Sequence, residues 1–127
     1  MARHPVPGER PLLWVGSAKS DLLAFPESVV GDMGNALGVA QFGGTHSNAK
    51  TWKGQGSGVF EIVEAFDGNA YRAVYTVRFK RAVFVLHAFQ KKSHAGRKTP
   101  LSDVHLVETR LKAAKELYEA QYGKDEN

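Results

Sequence analysis

The sequence predicts an α+β fold, a small twisted antiparallel β-sheet with two N-terminal helices packed on one face and a C-terminal helix. Three observations lead there. Tyr71, Ala73, Tyr75, Val77 and Phe79 alternate with Arg72, Val74, Thr76, Arg78 and Lys80, the period-two pattern of a strand with one face in a core. Val83 to Phe89 follows as an almost unbroken apolar run, rich in β-branched and aromatic residues, which suits a covered strand beside the first. Val104, Val107, Leu111, Ala114 and Tyr118 then recur at spacings of three and four, the stripe of an amphipathic helix. With the helices gathered on one face, the other face of the sheet is left as a basic surface.

The remaining elements follow in chain order. Residues 1–10 hold two prolines, a glycine and no periodicity, and read as a flexible leader. Pro11 to Gly16 is a short apolar run that suits an edge strand, with Pro11 where a missing N–H does little harm. Ser17 is placed to cap a helix. Pro26 interrupts the apolar pattern that follows, so this region is either two helices or one with a sharp break. Val29, Val30, Met33 and Leu37 continue the stripe until Gly43-Gly44 ends it. Thr45 to Gly58 is polar and glycine-rich and reads as a loop. Val59 to Phe66 is a strand, and Asp67-Gly68-Asn69 turns it into the central hairpin. Ser93 to Pro100 is a basic loop rich in breakers, Ser102 caps the last helix, and Gly123 closes it. The organisation is thus a leader over 1–10, one domain over 11–123 and a tail over 124–127.

A chain of 127 residues with 43% hydrophobic and 24% charged residues is long enough and apolar enough for one folded domain. No apolar run approaches the ~20 residues of a membrane helix, and no secretory segment follows Met1. The absence of cysteine excludes disulfides and thiolate metal sites and suits a cytoplasmic protein. No cofactor or metal is expected. No Asp/Glu/His cluster has ligand spacing, and the glycine-rich Gly54-Gln55-Gly56-Ser57-Gly58 leads into a strand, not from a strand into a helix.

Charge is unevenly placed. Residues 46–100 carry 10 Lys/Arg against 3 Asp/Glu, a net of +7, whereas 1–45 and 101–127 have nets of −1 and −2. A cationic segment of this size favours a nucleic-acid backbone, the plain alternative being a solvated basic surface. Its candidate RNA contacts are Lys50 and Lys53 in the loop, Arg78 and Lys80 in the hairpin, and Lys92 at the end of the last strand. His87 shares a face with Phe89 and Lys91 by alternation. It is the side-chain type that titrates near neutrality, although a histidine in so apolar a strand is more often a hydrogen-bonded core residue.

Four stretches together resemble the RelE superfamily of bacterial toxins, in particular its phage-derived HigB-like branch. They are WVGSAKSDLLAFP (14–26), KTWKGQGSGVFEI (50–62), AYRAVY (70–75) and VLHAFQKKSHAGRKTP (85–100). The resemblance implies the toxin of a type II toxin–antitoxin system, a metal-independent endoribonuclease that cuts mRNA, commonly on the ribosome. It also implies silencing by a cognate antitoxin, of the helix-turn-helix DNA-binding kind. On this resemblance Arg72 contacts the scissile phosphate, Lys91 is the basic residue at the end of the last strand, and Lys53 is the lysine of the preceding loop. Relatives tend to carry Glu-Leu-Arg where this chain has Glu61-Ile62-Val63, so one cation is missing.

The implied reaction is attack of a ribose 2′-hydroxyl on the adjacent phosphate, leaving a 2′,3′-cyclic phosphate and a 5′-hydroxyl. It needs charge neutralised on the phosphorane, a base and an acid. Arg72 is the candidate for the first, the alternative being a surface arginine paired with Glu61 or Glu64. Lys91 and His87 are the candidates for proton transfer. A non-catalytic RNA- or partner-binding module of the same fold is the alternative function, and Val63 is the feature that favours it.

Overall fold

The computed structural model describes residues 6–92 and 99–125, Lys92 by its backbone alone. Eight elements follow in order: β1 (Leu12–Trp14), α1 (Ala18–Leu23), α2 (Glu27–Gln41), β2 (Ala49–Thr51), β3 (Val59–Phe66), β4 (Asn69–Thr76), β5 (Val83–Lys92) and α3 (Leu101–Tyr122). The strands form one sheet in the order β1-β5-β4-β3-β2. Residues 1–5 of the expected leader, residues 93–98 of the expected basic loop, and residues 126–127 of the tail lie outside the described residues.

Local chemistry accounts for most boundaries. Asp67 and Gly68 have φ of 51° and 79°, and Phe66 pairs with Asn69 across them. Two residues at positive φ make a hairpin turn whose twist matches its strands, and this fixes the β3–β4 register. Pro26 resolves the first helical region into two helices, standing as the N-cap of α2. α2 stops at Gln41, where Gly43 at φ 89° lets the N–H groups of Gly43 and Gly44 return to the carbonyls of Ala40 and Val39. Two expectations are corrected. The segment from Thr45 to Gly58 is not loop throughout: Ala49–Thr51 pairs with β3 as an edge strand. Ser102 does not cap α3, which begins at Leu101 after Pro100, so Ser102 lies inside the first turn.

The sheet is antiparallel except at one edge, where β1 runs parallel to β5 with Leu12 beside Val83. Hairpin connections force antiparallel pairing, but β1 reaches β5 only after both helices and three strands, so no tight turn dictates its direction. Arg10, in the expected leader, fastens this edge to its surroundings. Its guanidinium donates to the carbonyls of Phe79 at 3.1 Å and Ala40 at 3.2 Å.

The alternation along β4 divides the core into two layers. Tyr71, Ala73 and Tyr75 pack under α1 and α2 with Leu22, Val29, Met33 and Leu37. Burial there pushes the Tyr75 hydroxyl up to about 12. On the opposite face Val59, Val74, Phe84 and Leu86 meet Val107, Leu111, Ala114 and Tyr118 of α3. The helices therefore do not share one face, and the surface expected to be open and basic is largely covered by α3. The reason is that β5 is apolar on both sides. Leaving Phe84 and Leu86 in water would cost roughly 1.5–3 kcal/mol each, and the stripe of α3 needs an apolar partner of its own.

A β-bulge in β5 sets which residues face α3. Val74 pairs with His87 but Tyr75 pairs with Val85, so Leu86 is the extra residue. The slip places His87, Phe89 and Lys91 on the same face as Phe84 and Leu86. Unbroken alternation from Phe84 would have turned His87 towards α1 and α2.

Candidate functional site

Where α3 begins, the sheet is not fully covered, and a cleft of about 390 Å³ remains. It is lined by Lys50, Thr51, Trp52, Lys53, Glu61, Arg72, Thr99 and Val104. Arg72 enters it from β4 because its neighbours Tyr71 and Ala73 are committed to the layer under α1 and α2. Val63 lies directly opposite Arg72 on β3.

Glu61 organises the charges of this cleft. Diagonally across from Arg72 on β3, it accepts from Arg72 Nη1 at 2.6 Å. Lys50, opposite Glu61 on β2, approaches the same oxygen at 3.5 Å. The Glu61 side chain is 7% exposed and that of Arg72 15%, so this pair is largely withdrawn from water, whereas Lys50 at 63% is not. The pairing of Arg72 with a neighbouring-strand glutamate is thus realised, inside the cleft and not on open surface. Lys53 stands exposed at the rim. Trp52 is buried and donates its backbone N–H to Val59, anchoring the loop that carries Lys53.

His87 and Lys91 continue the same face along β5. His87 Nε2 lies 2.7 Å from Asp103 Oδ1 in the first turn of α3, and the ring stacks on Phe89 with centroids 4.7 Å apart. At 6% exposure His87 is a hydrogen-bonded core histidine that fastens the start of α3 to the sheet. Lys91 pairs with Ala70, and its side chain is buried. Among the described residues, the buried side-chain nitrogens without a hydrogen-bond partner are Trp52 Nε1, Arg72 Nε and His87 Nδ1. Two of the three belong to lining residues of the cleft, and His87 pairs with Val74, two residues beyond Arg72 on β4.

The expected row of cations is not formed. β4 ends at Thr76, so the alternation that aligned Arg78 and Lys80 with Arg72 stops short of them. Arg78 folds back onto the loop before β3, donating from Nε to the Ser57 carbonyl at 3.1 Å and from Nη2 to Ser57 at 2.9 Å and to Gln55. Lys80 lies in the β4–β5 connection, where its backbone N–H donates to Asp125 at 3.0 Å. Asp125 also accepts from the buried Tyr118 hydroxyl at 2.6 Å, which holds its carboxyl below the usual carboxylate range. The structure brings Lys50, Lys53 and Arg72 together, with His87 and Lys91 along the same face, and places Arg78 and Lys80 elsewhere. The side chain of Lys92 lies outside the described residues.

Two residues of the site were not singled out for it in the sequence. Glu61 was legible, because counting back from the Asp67-Gly68 turn puts it diagonal to Arg72. Asp103 carried no such signal, since only the packing of α3 brings it to His87. Among the described residues, no group of three His, Asp or Glu side chains is gathered in a way that could hold a metal ion. No described helix is long and apolar enough to cross a membrane.

Comparison with known proteins gives a family and a likeness of fold. The model of the family described as phage-derived protein Gp49-like (DUF891) matches residues 20–112. The fold has a likeness to a chain of the RelBE2 toxin–antitoxin complex from Mycobacterium tuberculosis. The TM-score is 0.41 with 16% identity, over 69% of this chain and 98% of that one. No curated protein matches the sequence.

Proposed function

Since the chain belongs to the phage-derived Gp49-like family, we propose that it is the toxin of a type II toxin–antitoxin pair, an endoribonuclease that cuts mRNA on the ribosome without a metal ion. The observation that carries this is the cleft at the uncovered corner of the sheet, in which Arg72 and Lys50 meet one carboxylate, Glu61, and Lys53 stands at the rim. A guanidinium flanked by two ammonium groups matches an RNA phosphate with its neighbours on the backbone.

In this mechanism the phosphate enters beside Arg72, whose fork of donors shifts from Glu61 to the phosphate oxygens and stabilises the phosphorane. Glu61, so released, takes the proton of the attacking 2′-hydroxyl. Lys91 returns a proton to the departing 5′-oxygen, while His87, held by Asp103, keeps α3 and the end of β5 in register. The products are a 2′,3′-cyclic phosphate and a 5′-hydroxyl, with no net change in protons. The cognate antitoxin is a DNA-binding protein of the helix-turn-helix kind that covers the cationic cleft or blocks its approach to the ribosome, in a cytoplasmic complex.

The test is growth on induced expression. The wild-type chain arrests growth and Arg72→Ala does not; arrest by a folded Arg72→Ala protein at wild-type strength refutes the assignment. A second reading, a non-catalytic RNA- or partner-binding module of the same fold, is favoured by the Arg72–Glu61 contact and by Val63. It predicts no arrest by the wild-type chain.

A further inference from the structure

Arg78 was expected to contact RNA, yet its side chain is turned onto its own protein. The loop from Lys53 to Gly58 must hold an unusual path, with Gly54, Gly56 and Gly58 at φ of 100°, 81° and 82°. Such a glycine-rich loop has many conformations open to it and needs an external restraint to keep one. Arg78 supplies it. Its Nε and Nη2 donate to two carbonyls of the loop, Ser57 and Gln55. The loop in turn is shaped to the arginine. A side chain at Gly56 would stand 3.1 Å from Arg78 Nη2, and one at Gly58 3.3 Å from Arg78 Cα. The backbone joins them as well, since the Val77 N–H donates to the Gly58 carbonyl at 2.9 Å and Thr76 Oγ1 to the same carbonyl at 2.7 Å.

This loop presents Lys53 at the rim of the cleft and follows directly on Trp52 and β2, which carries Lys50. We propose that Arg78 is a positioning residue, a clamp on the Lys53–Gly58 loop that fixes where Lys53 meets the substrate backbone, and not itself a contact to RNA. The proposal deepens the endoribonuclease reading and rests on it for the identity of the substrate. The clamp acts through the geometry of the fork: the carbonyls of Gln55 and Ser57, on either side of Gly56, are reached from two nitrogens of one planar group, which a lysine cannot reproduce.

Two measurements test it. The first is the rate at which trypsin cuts after Lys53 in the folded protein, followed by mass spectrometry, in the wild type, Arg78→Lys and Arg78→Ala. Both variants are expected to be cut there about tenfold faster, the factor for losing one charge-assisted hydrogen bond, with a native circular-dichroism spectrum and a single cooperative melt as the control for folding. A wild-type cutting rate in Arg78→Lys overturns the clamp. The second is the affinity for a mixed-sequence single-stranded RNA oligonucleotide, measured with and without Lys53→Ala. Removing Lys53 should weaken binding about fivefold in the wild type and have little effect in the Arg78→Lys background, because the lysine is then already displaced. An equal loss in both backgrounds overturns the positioning role. If the wild type does not bind RNA at all, the endoribonuclease reading fails, and the trypsin measurement alone decides the clamp.

Discussion

Replacing Arg72 with alanine removes two things at once, and the structure separates their sizes. The first is the charge proposed to face the phosphorane; loss of one such donor lowers rate by ~10²–10³. The second is the partner of Glu61, whose side chain is only 7% exposed. Breaking a fully buried pair from one side costs ~3–5 kcal/mol, because the remaining charge is stranded. Here Arg72 keeps 15% exposure and Lys50 stands 3.5 Å from the same carboxylate oxygen, so the cost is smaller, about 2 kcal/mol. For a domain of this size that lowers the melting temperature by about 6–10 °C. Arg72→Lys provides the control, since an ammonium can still meet Glu61 while lacking the fork that fits two phosphate oxygens. The expected outcome is that Arg72→Ala melts early and does not arrest growth, while Arg72→Lys melts within about 3 °C of the wild type and is also strongly impaired. Circular-dichroism melts and a growth assay on induction read both. Growth arrest at wild-type strength by either folded variant refutes the phosphate role. An Arg72→Ala protein that melts with the wild type refutes the buried pair.

Three further outcomes follow. Sequencing of mRNA fragments from induced cells should find 2′,3′-cyclic phosphate and 5′-hydroxyl ends; 5′-phosphate ends refute attack by the 2′-hydroxyl. Asp125, whose carboxyl is held low first by the Tyr118 hydroxyl, contributes stability above the usual carboxylate value of 3.8 and loses it as pH falls through its lower folded value. Asp125→Asn should therefore melt below the wild type at about pH 6, with the gap closing as pH falls below the usual carboxylate value; a gap that persists in strong acid contradicts the assignment. Association with the proposed antitoxin should slow as salt rises, with less effect on dissociation, and Lys50→Glu with Lys53→Glu should weaken it. Stopped-flow mixing at two salt concentrations measures this, and unchanged association in the double variant moves the partner to another surface.

What the sequence determined by itself is everything whose cause lies within a few residues. The alternation of Tyr71, Ala73 and Tyr75 with Arg72 and Val74 assigned β4 and its two faces, and Asp67-Gly68 set its register with β3. The stripe through Val107, Leu111, Ala114 and Tyr118 became the buried side of α3, and Gly43 and Gly123 stand just beyond the helices they end. Arg72, Lys50 and Lys53 were singled out and meet in one cleft. Tertiary structure alone decided the rest. Periodicity shows that a helix has an apolar side but not which face of a sheet receives it, so α3 covered the surface expected to be open. The bulge at Leu86, the parallel edge at β1 and the His87–Asp103 contact depend on segments distant in the chain packing without voids or stranded polar groups. The same holds for Arg78, whose charge was legible but whose direction was not: a long side chain turns to whichever acceptors the fold places nearest, and those are the carbonyls of a loop some twenty residues earlier.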